Sequence, residues 1–113
     1  SFCHFHFHAK DDFSNLSVDI AITAYRLVQE SLLNIVKHAE AKKVSVHIKF
    51  TRDEKTLLLY IVDDGKGFNV EKEVAGIGLI GMRERVASFN GQIRISSTHN
   101  KGARVFIAIP IHL

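Results

Sequence analysis

The sequence predicts an α+β fold, a two-layer sandwich whose mixed, mostly antiparallel sheet is covered on one face by helices. Three observations predict it. Apolar and polar residues alternate over Lys43–Phe50, and apolar residues fill both faces of residues 57–62. Two longer stretches, residues 18–40 and 79–89, repeat at helical spacing instead. The elements run strand, helix, two strands, helix, two strands, an order that segregates helices to one face of an antiparallel sheet.

Length and composition narrow the class. The chain has 113 residues, of which 46% are hydrophobic and 24% charged, which fits a single domain over residues 1–113 with a real core. No window approaches the roughly 18 apolar residues of a membrane span, and no segment is arranged like a signal peptide. The net charge of +3 is spread along the chain, which predicts neither a nucleic-acid partner nor direct membrane contact. Cys3 is the sole cysteine, so no internal disulfide forms.

Residues 3–8 alternate Cys-His-Phe-His-Phe-His, with Cys3, Phe5 and Phe7 on one strand face and His4, His6 and His8 on the other. Three histidines on one face suit zinc, but no carboxylate or cysteine elsewhere has ligand spacing, so an edge strand with a polar outer face is preferred. Ser17 is the N-cap of the first helix, with Asp19 in its first turn. At about 100° per residue, Ala21, Ala24, Val28, Leu32, Ile35 and Ala39 form the face expected against the sheet.

The other face of this helix carries chemistry. Glu30, Asn34, Lys37 and His38 recur at spacings of three and four and form one polar stripe flanked by Leu27 and Leu33, as if lining a cleft. Such a set can orient water, coordinate Mg²⁺ through oxygen and neutralise phosphate charge. A stripe of this kind is also what a solvated helix face looks like.

Residues 57–62 form the central strand of a hairpin with Lys43–Phe50, and two carboxylates and a glycine turn cut it short. Asp63 stands at the sheet rim, where its carboxylate can accept a hydrogen bond from the exocyclic amine of adenine. Gly65 and Gly67 let the backbone turn sharply and a planar base lie against it. Gly76, Gly78 and Gly81 open the second helix, whose first N–H groups suit phosphate oxygens.

Glycines at both ends of the polar insert 69–75 predict mobility there. Leu79, Met82, Val86 and Phe89 are the buried side of the second helix, and Asn90-Gly91 stops it. Arg83 and Arg85 are solvated, with one of them available to a phosphate. Residues 92–97 and 103–109 are the last two strands, closed by Pro110.

Three stretches resemble the motifs of one family. Gln29-Glu30-Ser31-Leu32-Leu33-Asn34-Ile35-Val36-Lys37-His38-Ala39 is similar to the N box of the histidine-kinase ATPase domain. Asp63-Asp64-Gly65-Lys66-Gly67-Phe68 resembles its Asp-x-Gly-x-Gly box. Gly76-Ile77-Gly78-Leu79-Ile80-Gly81-Met82-Arg83-Glu84-Arg85-Val86 resembles its second glycine box, in the form found in sensor kinases that pair with response regulators of the nitrate/nitrite type.

The resemblance implies a Bergerat-type ATP-binding domain, related more distantly to the gyrase, heat-shock chaperone and mismatch-repair ATPases. It implies that Asn34 ligates Mg²⁺, that Lys37 and His38 approach the phosphates and that Asp63 binds the adenine amine. Gly65 and Gly67 then flank the base. Gly76, Gly78 and Gly81 belong to the lid, and Leu79 and Met82 lie beside the nucleotide. Glu30 is a candidate acid/base. The implied activity is transfer of the ATP γ-phosphoryl group to a histidine on a dimerisation domain, with a response regulator downstream and a cytoplasmic location.

The chain departs from the family pattern at Ala103, where many relatives carry a threonine hydroxyl. Its short insert leaves no room for a phenylalanine-containing box. Nothing before Ser17 has a helical pattern that could hold the phosphoacceptor, so the expectation is a fragment of a longer kinase that binds ATP without phosphorylating itself. The alternatives are a stand-alone ATPase or serine kinase on the same fold, and a degenerate interaction module.

Overall fold

The structure is a computed structural model that describes residues 3–67 and 79–111. The insert 69–75, Gly76 and Gly78 lie outside the described residues, as does the expectation of mobility there. Five strands form one sheet in the order β1-β2-β3-β5-β4. They are β1 (His4–His8), β2 (Lys43–Phe50), β3 (Thr56–Asp63), β4 (Gln92–Ser97) and β5 (Ala103–Pro110). Only β1 and β2 run parallel; the other neighbours are antiparallel. The expected α+β sandwich is therefore present, with apolar β3 at the centre and β1 at an edge.

Among the described residues two α-helices cover one face: α1 (Val18–Asn34) and α2 (Leu79–Ala87). Ser17 caps α1, its hydroxyl accepting the Ile20 amide at 3.3 Å, with Asp19 in the first turn. Beyond Asn34 the helix widens into a π-helical turn, Ile35–Ala39, and ends at Glu40 in the left-handed region with φ 51°. Helix α2 stops as expected, Asn90 taking φ 58° and the Gly91 amide returning to the Val86 carbonyl oxygen at 3.0 Å. Between helices and sheet sits the core: Leu57, Leu59 and Ile61 from β3, Ile107 and Ile109 from β5, with Leu27, Leu79, Met82 and Val86 above them.

One expectation needs correction. The buried row of α1 is Ile20, Thr23, Leu27, Ser31 and Ile35; of the expected row Ile35 and Ala39 are buried, Ala24, Val28 and Leu32 are half-buried against the core and Ala21 is exposed. A search for apolar periodicity skips Thr23 and Ser31, although Ser31 is buried at little cost because its hydroxyl donates to the Leu27 carbonyl oxygen at 2.8 Å. The neighbouring row instead lines an apolar groove of about 820 Å³ between α1 and β1, whose other wall includes Phe5 and Phe7. Leu27, expected beside the polar stripe, is 1% exposed, whereas Leu33 is 44% exposed on the groove side.

Candidate functional site

The two carboxylates that end β3 have opposite fates. Strand alternation turns Asp63 inward, where it is 5% exposed and one oxygen, Oδ1, accepts the Gly65 amide at 2.8 Å. Burial raises its pKa above the usual carboxylate value, and the neighbouring Asp64 charge adds to this against the opposing hydrogen bonds from Gly65 and Ala103. Asp64 turns outward and accepts the Lys42 and Lys43 amides on one oxygen, at 2.8 and 2.9 Å. Those bonds, with Lys43's charge, lower its pKa. Asp64 ties the strand ends together, while Asp63 is a buried acceptor facing the core side of the sheet.

Close backbone contacts fix the loop after Asp63. The Lys66 amide donates to the Ala39 carbonyl oxygen at 2.7 Å, and the Asn100 amide donates to the Lys66 carbonyl oxygen. The loop is thus pinned between the end of the π turn and the β4–β5 turn. A Cβ on Gly65 would collide with the Ala39 carbonyl. Gly67 has φ +69°, and a Cβ there would collide with the Thr98 carbonyl. Beyond the sharp turn expected of them, Gly65 and Gly67 let three backbone segments meet.

The polar stripe is split. Glu30 is half-buried and shares a hollow of about 340 Å³ with Arg26, Arg85, Gly81 and Met82, between α1 and α2. Asn34 is half-buried at the end of α1. Lys37 and His38 are exposed on the π turn, which turns fewer degrees per residue than an α-helix and so displaces them from the line through Glu30 and Asn34. Leu79 is buried on the core side of α2 and Met82 is buried where it also touches the hollow.

Two site features escaped the sequence reading. Arg26 lies one turn before Glu30 on the same helix and lines the same hollow, a spacing that could have revealed it. The π turn has no signal in residue identity. Of the two arginines offered as phosphate contacts, Arg85 faces the hollow and Arg83 is not among its lining residues.

A buried carboxylate thus ends the central strand, and the glycine loop after it is pinned against the interrupted helix. The profile of the family described as Histidine kinase-, DNA gyrase B-, and HSP90-like ATPase matches residues 19–113, and the chain belongs to that family. It is 42% identical over 93 residues to the Signal transduction histidine-protein kinase/phosphatase DegS of Brevibacillus brevis, covering 81% of this chain and 24% of that protein. It is 42% identical over 105 residues to UhpB of Salmonella typhimurium, a protein of the same description, covering 93% of this chain and 20% of that one.

The chain thus spans about a quarter of the length of these relatives. The histidine kinase domain of the Erythrobacter litoralis EL346 blue-light activated histidine kinase has the same fold, with TM-score 0.77 at 22% identity over 95% of this chain and 52% of that one.

Proposed function

We propose that this chain is the ATP-binding catalytic domain of a sensor histidine kinase, a single domain within a longer protein, and that it delivers the γ-phosphoryl group of ATP to a histidine on a separate dimerisation domain. The observation that carries this reading is Asp63, a buried carboxylate with one oxygen held by the Gly65 amide and a pinned glycine loop beside it. Such an acceptor, fixed before a ligand arrives, suits the exocyclic amine of adenine. The likeness to DegS and UhpB over most of this chain supports the kinase assignment.

In this reading Asp63 selects the base and Gly65 and Gly67 keep the wall beside it flat. Asn34 offers an amide oxygen, the hard donor that Mg²⁺ prefers, and would hold the ion there with the phosphates. Mg²⁺ supplies charge neutralisation for phosphoryl transfer. Lys37 and His38 stand on the exposed π turn as cationic and hydrogen-bonding partners for phosphate oxygens. Gly76 and Gly78, outside the described residues, would belong to the lid together with Gly81 in the first turn of α2, Leu79 and Met82 would supply apolar contact at its base, and Glu30 is the candidate acid/base group. The dimerisation domain and a response regulator are the protein partners, and the domain works in the cytoplasm. Among the described residues no helix is long and apolar enough to cross a membrane.

Calorimetric titration of Mg-ATP, followed by incubation with a supplied dimerisation domain, tests the proposal. ATP binding with transfer of label to a histidine is the expected result. Binding without transfer, with phosphate release abolished in Glu30→Gln, would move the assignment to a stand-alone ATPase.

A further inference from the structure

The face of the sheet that the helices leave bare carries none of the candidate site residues, yet it is organised. His8, His47, Tyr60, Phe106 and Arg94 stand directly opposite one another across all five strands and form a single rung. The His8 and His47 rings stack at 4.4 Å with an interplanar angle of 9°. Tyr60 follows at 6.2 Å from His47, and Phe106 meets Tyr60 edge-on at 6.2 Å. Beside the rung, His47, Lys49, Leu58, Tyr60 and Phe106 line a hollow of about 340 Å³.

Charge on this face has one sign. Strand alternation turns Lys43 and Lys49 of β2, Arg94 of β4 and Arg104 of β5 outward, and all four are exposed. No aspartate or glutamate occupies an outward position on any of the five strands. The nearest outward carboxylate in sequence, Asp64, lies just past β3 and is bonded to the Lys42 and Lys43 amides.

We propose that this face docks an acidic protein segment that carries an apolar anchor side chain. The anchor fills the hollow against Leu58, Tyr60 and Phe106, and flanking carboxylates meet the surrounding cations. An aromatic-lined pocket inside a charged rim is the usual anatomy of a protein-binding hot spot, and the positive charge of the outward strand positions, with Asp64 and Asp11 engaged by backbone amides at the ends of β2, selects an acidic partner. Single-stranded nucleic acid is the other polyanion such a face could meet; bases stack on open aromatic faces, and here the His8–His47 stack and the Tyr60–Phe106 edge contact each use up part of that surface.

Fluorescence anisotropy on the 113-residue chain tests this with a labelled oligo-glutamate peptide that has one central phenylalanine. Three comparisons run beside it: the same peptide with glycine for phenylalanine, a labelled oligo-thymidine strand of similar length, and the charge-reversed variant Lys49→Glu/Arg104→Glu. Binding of the phenylalanine peptide is expected, weakened roughly tenfold by the double reversal. Loss of the phenylalanine should weaken it at least severalfold, and oligo-thymidine should bind less tightly at equal salt.

Far-UV circular dichroism checks that the variant is folded, and Lys49→Ala supplies a milder change that must shift affinity in the same direction. No peptide binding at low salt, binding indifferent to these substitutions or to the phenylalanine, or tighter binding of oligo-thymidine would each overturn the proposal.

Discussion

At the scale of single residues, the site rests on two adjacent carboxylates that strand alternation sends to opposite sides of the sheet. Losing the charged acceptor in Asp63→Asn should cost about 1.5–3 kcal/mol of nucleotide binding, or roughly tenfold to over a hundredfold in affinity by calorimetry. The same substitution has the opposite effect on the empty domain. Burial raises the folded pKa of Asp63, so its stabilising protonated form is fully present below the unfolded value and is lost as pH rises through the folded value. Asp63→Asn is therefore expected to resist urea better than wild type at pH 7, with the advantage shrinking toward acid pH.

Nucleotide affinity of the wild type should fall as pH drops through that same raised value, because a neutral carboxyl is a weaker acceptor. For Asp64 the sign reverses. Its pKa is lowered in the fold, so its contribution is present above the unfolded value and disappears as pH falls through the folded one. Urea melts of Asp64→Asn across pH should show a deficit at neutrality that closes in acid. At Gly67 the left-handed φ of +69° and the Thr98 carbonyl both oppose a side chain. Gly67→Ala should lose about 1–3 kcal/mol from strain alone, readable as a lower urea midpoint.

At the scale of elements, α1 shows how far a sequence can be read. Its start was legible because Ser17 followed by Asp19 is a local signal, and Ser17→Ala should cost about 1 kcal/mol in thermal or urea unfolding. Its inward row was legible only in part. Ile35 and Ala39 were expected inward and are buried, but Ile20, Thr23, Leu27 and Ser31 make up the rest of the true face, and the polarity of Thr23 and Ser31 turned the expected face toward the adjacent apolar row. That row lines the groove beside β1. The π turn was not legible, since Ile35–Ala39 has the composition of ordinary helix. It matters because it brings the Ala39 carbonyl to the Lys66 amide and moves Lys37 and His38 off the Glu30 line.

At the scale of the molecule, β3 joins the core to the site. Its inward residues Leu57, Leu59 and Ile61 have almost no exposure, and Asp63 is the next inward position after them. Leu59→Ala should therefore lose about 2–5 kcal/mol of stability, and partial unfolding should abolish nucleotide binding with it. Phe7, 59% exposed on the edge strand, has little burial to lose, and Phe7→Ala should leave the melting temperature nearly unchanged.

The amino-acid sequence by itself determined the element order, the central position of β3 and the cap of α1, because periodicity, capping and turn chemistry act over a few neighbouring residues. Tertiary structure alone decided which α1 row is buried, why Gly65 and Gly67 tolerate no side chain, and that His8, His47, Tyr60, Phe106 and Arg94 form one rung. Each of these depends on contacts between segments far apart in the chain, and local residue pattern does not specify what a distant backbone brings against it.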